Sequence, residues 1–224
     1  MRSHAVIFDL DGTLLDSLAD LAAATNEALA ALGYPTHPAA AYRRMIGGGI
    51  ELLARRALPG AVRDERAVAA CVTRVREAYD RRWAETTRPF SGIPELLTRL
   101  SELGIPMAVL SNKPHDFTTL AVSRLLAPWH FATVLGAKSD LATKPDPAGA
   151  LRITHELGLV PGVVAFLGDS DVDMQAARGA GMLAVGALWG FRDADELAQA
   201  GAQALIAQPH DLLPLLAGAS GLSA

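Results

Sequence analysis

Ala5-Val6-Ile7-Phe8 is an apolar, β-prone run that stops abruptly at Asp9-Leu10-Asp11-Gly12. A strand with no polar face is buried on both sides, so it belongs in a parallel sheet with helices packed above and below. Gly12 turns the chain just as two carboxylates reach the carboxyl edge of that sheet, where open α/β folds place their ligands. Two acids one residue apart repel each other, and a hard divalent cation with oxygen ligands is their natural partner. The other reading of these residues is a solvated Asp-Gly turn. What the rest of the chain brings to that edge decides between the two.

From Pro89 onward, strand and helix patterns alternate. Strands are expected at 106–110, 131–135, 163–167, 183–185 and 204–206, with helices at 93–103, 117–126, 147–157, 172–180 and 195–200 and a terminal helix beyond. This order predicts an α/β fold, a doubly wound parallel sheet with right-handed crossovers. Residues 16–87 differ, offering helices and no convincing strand. Leu18, Leu21, Ala22, Thr25, Ala28, Leu29 and Leu32 recur at helical spacing until Gly33 supplies a stop. Asp16 reads as the start of that helix, and Ser17 with Asp20 as its capping box. Further helices are expected at 51–58 and 64–85, after the loop Gly47-Gly48-Gly49. The expected organisation is a catalytic core formed by 1–15 and 88–224, with 16–87 inserted as a helical cap over the sheet edge. The Ala/Gly/Ser-rich tail after Leu216 reads as a frayed end.

Twenty basic against 24 acidic residues leave no basic stripe for a phosphate backbone, so nucleic acid is excluded as the main partner. Cys71 is the only cysteine and sits among apolar residues, which reads as a small buried hydrophobe. No apolar run approaches the ~18 residues that span a bilayer. The amino terminus runs into a strand with no room for a signal peptide, so a cytoplasmic enzyme that is a monomer or homodimer is expected. Six histidines are dispersed without metal-ligand spacing.

Polar residues of complementary type follow the other strands. Ser111-Asn112-Lys113 comes after the second, Lys144 in a loop after the third, and Gly168-Asp169-Ser170-Asp171-Val172-Asp173 after the fourth. In a parallel sheet all of them converge with Asp9 and Asp11 on one edge. Carboxylates alone suggest a cation store, and a lysine alone a loose anion site. Together they describe a divalent metal holding a phosphoryl group, with Lys144 and Ser111 on the oxygens the metal does not reach.

These motifs, in this order, resemble the haloacid dehalogenase superfamily of phosphohydrolases, in the branch with a helical C1 cap. The resemblance implies roles residue by residue. Asp9 would be the nucleophile that forms an aspartyl-phosphate, and a Mg²⁺ ligand. Asp11 would be general acid, then general base, with its backbone carbonyl on the metal. Asp169 would be a direct metal ligand, and Asp173 would hold a metal-bound water or Lys144. Ser111, Asn112 and Lys144 would bind the phosphoryl group. Dehalogenases of this superfamily lack the second acid, which argues against halide displacement here.

Residues 8–21, Met45 to Gly49, Ser111 to Pro114 and Val185 to Phe191 resemble phosphoglycolate phosphatases within that superfamily. A small phosphorylated metabolite, 2-phosphoglycolate or similar, is the expected substrate. Gly47, Gly48 and Gly49 would form a specificity loop, and Arg43 or Arg44 would reach a substrate carboxylate. Ser111 replaces a common Thr and Met45 a common aromatic; both bear on the leaving group and not on the phosphoryl site. Alternatives are a pyrophosphatase or a sugar-phosphate mutase of the same superfamily, and a non-catalytic binding module. Mutases of this kind carry a histidine in the first cap helix, where Leu21 stands here. A binding module needs no second carboxylate.

Overall fold

The structure, a computed structural model, describes residues 3–217. β1 (Ala5–Phe8) is buried along its whole length. Val6 and Phe8 pack into an apolar cluster with Leu97 and Val109, while Ala5 and Ile7 pack on the opposite face with Ile153, Phe166 and Met174. Each large aliphatic or aromatic side chain buried this way contributes about 1.5–3 kcal/mol relative to exposure. That is why the apolar run holds the centre of the sheet.

After β1 come a two-residue strand β2 (Leu15–Asp16), helices α1 (Leu18–Ala31), α2 (Ile50–Ala57) and α3 (Glu65–Arg82), and a second short strand β3 (Arg88–Pro89). The chain then alternates through α4 (Ile93–Glu102), β4 (Met107–Pro114), α5 (His115–Leu125), β5 (Thr133–Ala137), α6 (Ala148–Glu156) and β6 (Val164–Gly168). It finishes with α7 (Asp171–Ala180), β7 (Leu183–Ala187), α8 (Ala194–Gln199), β8 (Ala204–Ile206) and α9 (Leu212–Ala217). Six strands form one parallel sheet in the order β5-β4-β1-β6-β7-β8. The expected doubly wound α/β sheet is therefore observed. Its order reverses beside β1, and that switch point opens a crevice at the carboxyl ends of β1, β4 and β6.

Helices α1, α2 and α3 bury a third apolar cluster of their own, including Leu29, Leu53, Cys71 and Val75, joined by Phe117 and Phe191 from the sheet layer. Cys71 is buried, as its apolar surroundings suggested. No helix among the described residues is long and apolar enough to cross a membrane. The tail beyond residue 217 lies outside the described residues.

Three local expectations are corrected. Asp16 precedes α1 instead of beginning it, its carboxylate accepting the Leu18 amide at 3.4 Å; it pairs with Arg88 across the antiparallel β2–β3 ribbon, so the two connections to the helical layer run side by side. Ser17 and Asp20 form no capping box, because the Ser17 hydroxyl has no partner. The Asp20 carboxylate instead accepts from the amides and hydroxyls of Thr86 and Thr87, at 2.5–3.0 Å. Finally, β4 continues through Ser111, Asn112 and Lys113 instead of ending before them, with an irregular register against β5 between Leu110 and Pro114.

Candidate active site

β1 and β6 are neighbours in the sheet, with Phe8 opposite Leu167, so Asp9 and Asp169 leave adjacent strands at the same level. Both are buried, as is Asp173 in the first turn of α7. One ligand oxygen from each of these acids lies within 4.8 Å of the others. Between them stands Lys144, whose Nζ donates to Asp9 Oδ1 and Asp173 Oδ1, each at 2.6 Å, and to the Leu110 carbonyl at 2.8 Å. The second oxygen of Asp173 accepts from the amide and hydroxyl of Ser170 at the start of α7. One carboxylate thus fixes both a helix end and the lysine.

A single ammonium cannot neutralise three buried acids. Burial works to lower the Lys144 pKa, but Asp173 and Asp9 outweigh it and hold the group charged. Asp9 is pushed well above the usual carboxylate range, first by burial and then by Asp173, with Lys144 only partly opposing. Burial and Asp173 raise Asp169 in the same way, against hydrogen bonds from Phe191 and Thr13. With all three acids ionised the cluster carries two uncompensated negative charges, the balance a hard divalent cation on carboxylate oxygens removes.

The Asp169 carboxylate is tightly held by its surroundings. Thr13 Oγ1 donates to Asp169 Oδ1 at 2.8 Å, and the Phe191 amide donates to Oδ2 at 2.9 Å. A Cβ on Gly12 or on Gly190 would collide with this side chain. Gly12 also turns the chain at φ +98°, which L side chains rarely adopt. The Asp-Gly pair is therefore a turn but not a solvated one, since Asp9 is buried and Asp11 is paired with Lys113.

Asp11 is held differently. Lys113 Nζ lies 2.9 Å from Asp11 Oδ2 and 3.1 Å from Oδ1, and donates to the Tyr79 hydroxyl of α3 at 2.8 Å. Burial alone would lower the Lys113 pKa, yet Asp11 and Tyr79 drive it up, so the ammonium stays charged. Ser111 is buried beside it, its Oγ accepting the Lys113 amide at 3.2 Å. The amide of Asn112 is committed to protein: Nδ2 donates to the carbonyls of Lys144 and Gly47, and Oδ1 accepts from the Lys144 amide. Asn112 therefore shapes the site by fixing the Lys144 peptide.

Between these residues and the helical layer lies a cavity of about 50 Å³. Asp9, Asp11, Ser111 and Lys113 form its floor, and Leu21, Ile50 and Val75 are among the apolar residues opposite. Gly47 and Gly49 line it; Gly48 and Arg43 do not. Gly49, at φ +86°, starts α2 so close to the Asn112 carbonyl that a Cβ would stand 3.1 Å from it. Arg43 turns away from the cavity, donating to the Gly190 carbonyl and lying 5.8 Å over the Phe191 ring. Its neighbour Arg44 is exposed on the same outer side.

Lys113, Tyr79, Thr13 and Arg192 were not singled out by sequence reasoning. Arg192 donates to the carbonyls of Arg43 and Ile46, so it and Arg43 cross between helical layer and sheet. Lys113 and Thr13 stand inside the strand-end motifs, directly after Ser111-Asn112 and Gly12, whereas Tyr79 and Arg192 carry no local signal. Trp189 and Phe191 also reach the site loops: Trp189 Nε1 donates to the Thr13 carbonyl at 3.0 Å, and the Phe191 amide holds Asp169.

A family model described as haloacid dehalogenase-like hydrolase matches residues 6–187. The phosphoglycolate phosphatase of Pectobacterium atrosepticum is 33% identical over 221 residues, covering 97% of this chain and 94% of that protein. Phosphoglycolate phosphatase 1 of Pseudomonas aeruginosa is 33% identical, over 93% of this chain and 78% of its own length. Among solved structures, a candidate phosphoglycolate phosphatase from Lactobacillus delbrueckii subsp. bulgaricus superposes with a TM-score of 0.91 at 29% identity, covering 97% of this chain and 100% of that one. CbbY from Rhodobacter sphaeroides, solved in complex with phosphate, gives a TM-score of 0.77 at 26% identity, covering 95% and 96%.

Proposed function

The chain belongs to the haloacid dehalogenase-like hydrolases, and from that membership we propose that it is a Mg²⁺-dependent phosphomonoesterase for a small phosphorylated metabolite, 2-phosphoglycolate or a close relative. The observation that carries this reading is the charge arrangement at Asp9: a buried carboxylate, one lysine shared with Asp173, and Asp169 alongside. Asp9 and Asp169, with the Asp11 carbonyl and Asp173 behind them, would hold the cation. Bound there, Mg²⁺ supplies the missing positive charge and polarises a phosphoryl oxygen.

The residues of the chain do the rest. Lys144 and the Ser111 hydroxyl hold phosphoryl oxygens, and Lys144 keeps Asp9 aimed at phosphorus. An Asp9 oxygen forms the new P–O bond as the ester P–O bond breaks, and the leaving oxygen takes a proton from Asp11. Water then attacks the aspartyl-phosphate, Asp11 takes its proton, and phosphate leaves with the Asp9 carboxylate restored.

The small cavity supports a small substrate. About 50 Å³ admits roughly four water molecules and lies far below the ~300–1,000 Å³ of drug-sized pockets. The relatives named phosphoglycolate phosphatase point the same way. Leu21, on the cavity wall where a mutase carries its acid–base histidine, favours water over a sugar hydroxyl as phosphoryl acceptor. The test is phosphate release from 2-phosphoglycolate, hexose phosphates, nucleotides and pyrophosphate, with Mg²⁺ or with EDTA. We expect Mg²⁺-dependent turnover of the smallest esters, and Asp9→Asn to abolish it. Turnover of no phosphoester would overturn the proposal.

A further inference from the structure

The chain has three lysines among its 20 basic residues, and two of them, Lys113 and Lys144, lie in the cleft. Lys144 shows what a buried ammonium does there: it bridges two carboxylates, Asp9 and Asp173. Lys113 holds only one, Asp11, and spends its remaining reach on a neutral phenol, Tyr79. It therefore has room for a second anion beside Asp11.

The site around Lys113 narrows what that anion can be. Among the described residues lining the cavity, Lys113 is the only cationic side chain. Arg43 and Arg192 are engaged with main-chain carbonyls at the outer seam. The opposite wall is Leu21, Ile46, Ile50, Leu53 and Val75, which offers a charged leaving group nothing. Gly49 and Ile50 bring the N-terminal end of α2 into the same space, adding the positive end of its dipole. Asp11 and Lys113 share the cavity floor with Asp9 and Ser111, so a group bound to Lys113 stands beside the leaving side of the phosphoester.

We propose that Lys113 is the specificity residue of this site: its ammonium receives a carboxylate on the leaving group, so the cavity selects small phosphorylated acids over neutral esters of equal size. This rests on the phosphatase reading and adds the group that reads the substrate. Tyr79, from α3, positions the ammonium for that contact.

Two size-matched esters test it: 2-phosphoglycolate, and 2-hydroxyethyl phosphate, in which a hydroxymethyl group replaces the carboxylate. Both are assayed with saturating Mg²⁺ for kcat and KM. For wild-type protein we expect kcat/KM to favour the acid by roughly 10- to 100-fold, the worth of one hydrogen bond to a charged group. Lys113→Met leaves Asp11 without its partner and lowers turnover of both esters, but the ratio between them isolates the carboxylate. That ratio should collapse toward one, mostly through KM for the acid. If Lys113→Met does not fold, Lys113→Gln carries the same comparison, since its amide can still reach Asp11 and Tyr79 without the charge. A wild-type ratio near one, or an unchanged ratio in the folded variant, overturns the assignment while leaving the phosphatase standing. Turnover of neither ester by wild type, together with inactivity on all other phosphoesters, removes both.

Discussion

The side-chain amide of Asn112 pairs with the peptide of Lys144 as a neighbouring strand would, donating to its carbonyl and accepting from its amide, both at 2.8 Å. β4 thereby fixes the loop that carries Lys144, and through it the ammonium between Asp9 and Asp173. A side chain that could only accept would face the Lys144 carbonyl with an oxygen. We expect Asn112→Asp to lower stability by about 1–3 kcal/mol, the cost of leaving a buried partner unsatisfied. Turnover should fall further than this loss of folded protein explains, because the lysine is displaced. Guanidinium unfolding and phosphate-release kinetics on the same preparation separate the two effects; wild-type kcat in the folded variant would show that the pairing does not steer Lys144.

Thr13 offers a test of the proposed metal site that spares its carboxylates. Its hydroxyl donates to Asp169 Oδ1, and the Phe191 amide holds the other oxygen. Losing one of two orienting donors frees the carboxylate to rotate, and such outer partners are worth about 10–100-fold in metal affinity. Thr13→Val, nearly the same size, should raise the Mg²⁺ concentration for half-maximal activity by about that factor. Excess metal should restore much of the rate. An unchanged Mg²⁺ titration would place Asp169 outside the metal's reach.

Asp20 ties α1 to the segment between α3 and β3 through Thr86 and Thr87. Burial works to raise its pKa, but the hydrogen bonds from Thr86 and Thr87 win and hold it below the ordinary 3.8. A depressed carboxylate adds stability that is complete above the ordinary value and is lost as pH falls through the lower folded one. Asp20→Asn should therefore cost about 1–3 kcal/mol at pH 7. The gap between wild type and variant should close as the solution is acidified below pH 3.8. Denaturant unfolding at neutral and acid pH measures it, and a gap that widens toward acid contradicts the assignment.

Asp20 also marks where sequence reading stops. Asp9, Asp11 and Asp169 were legible because each follows an apolar run whose periodicity and breaking residues are local, and a parallel sheet brings such ends together. Ser17 and Asp20 matched a local capping pattern equally well, yet the acid's donors lie 66 and 67 residues away. Strand propensity ended β4 at Leu110, whereas the sheet carries it through Lys113 because β5 continues beside it. Lys113 and Tyr79 meet across 34 residues, and Arg43 and Gly190 across 147. Partners of that kind are set by how the helical layer closes on the sheet, and a single sequence carries no periodic signal for it.

The seam made by Arg43 and Arg192 is the remaining lever on the site. The Arg192 guanidinium is buried and donates to the Ile46 carbonyl at 2.8 Å, one residue before Gly47 enters the cavity wall. It also takes the Arg43 carbonyl, while Arg43 reaches back to Gly190, the residue before the amide that holds Asp169. Closing the helical layer and setting the Asp169 loop are thus one arrangement. Removing a charged donor to these carbonyls costs about 1.5–3 kcal/mol of closure, so Arg192→Met should raise KM roughly tenfold or more for the substrate it turns over. The freed segment should also be cut faster by trypsin after Arg43 and exposed Arg44. Steady-state kinetics and a timed tryptic digest read the two effects independently; a variant with wild-type KM and a wild-type digestion rate would mean that the crossed arginines do not hold the helical layer on the sheet.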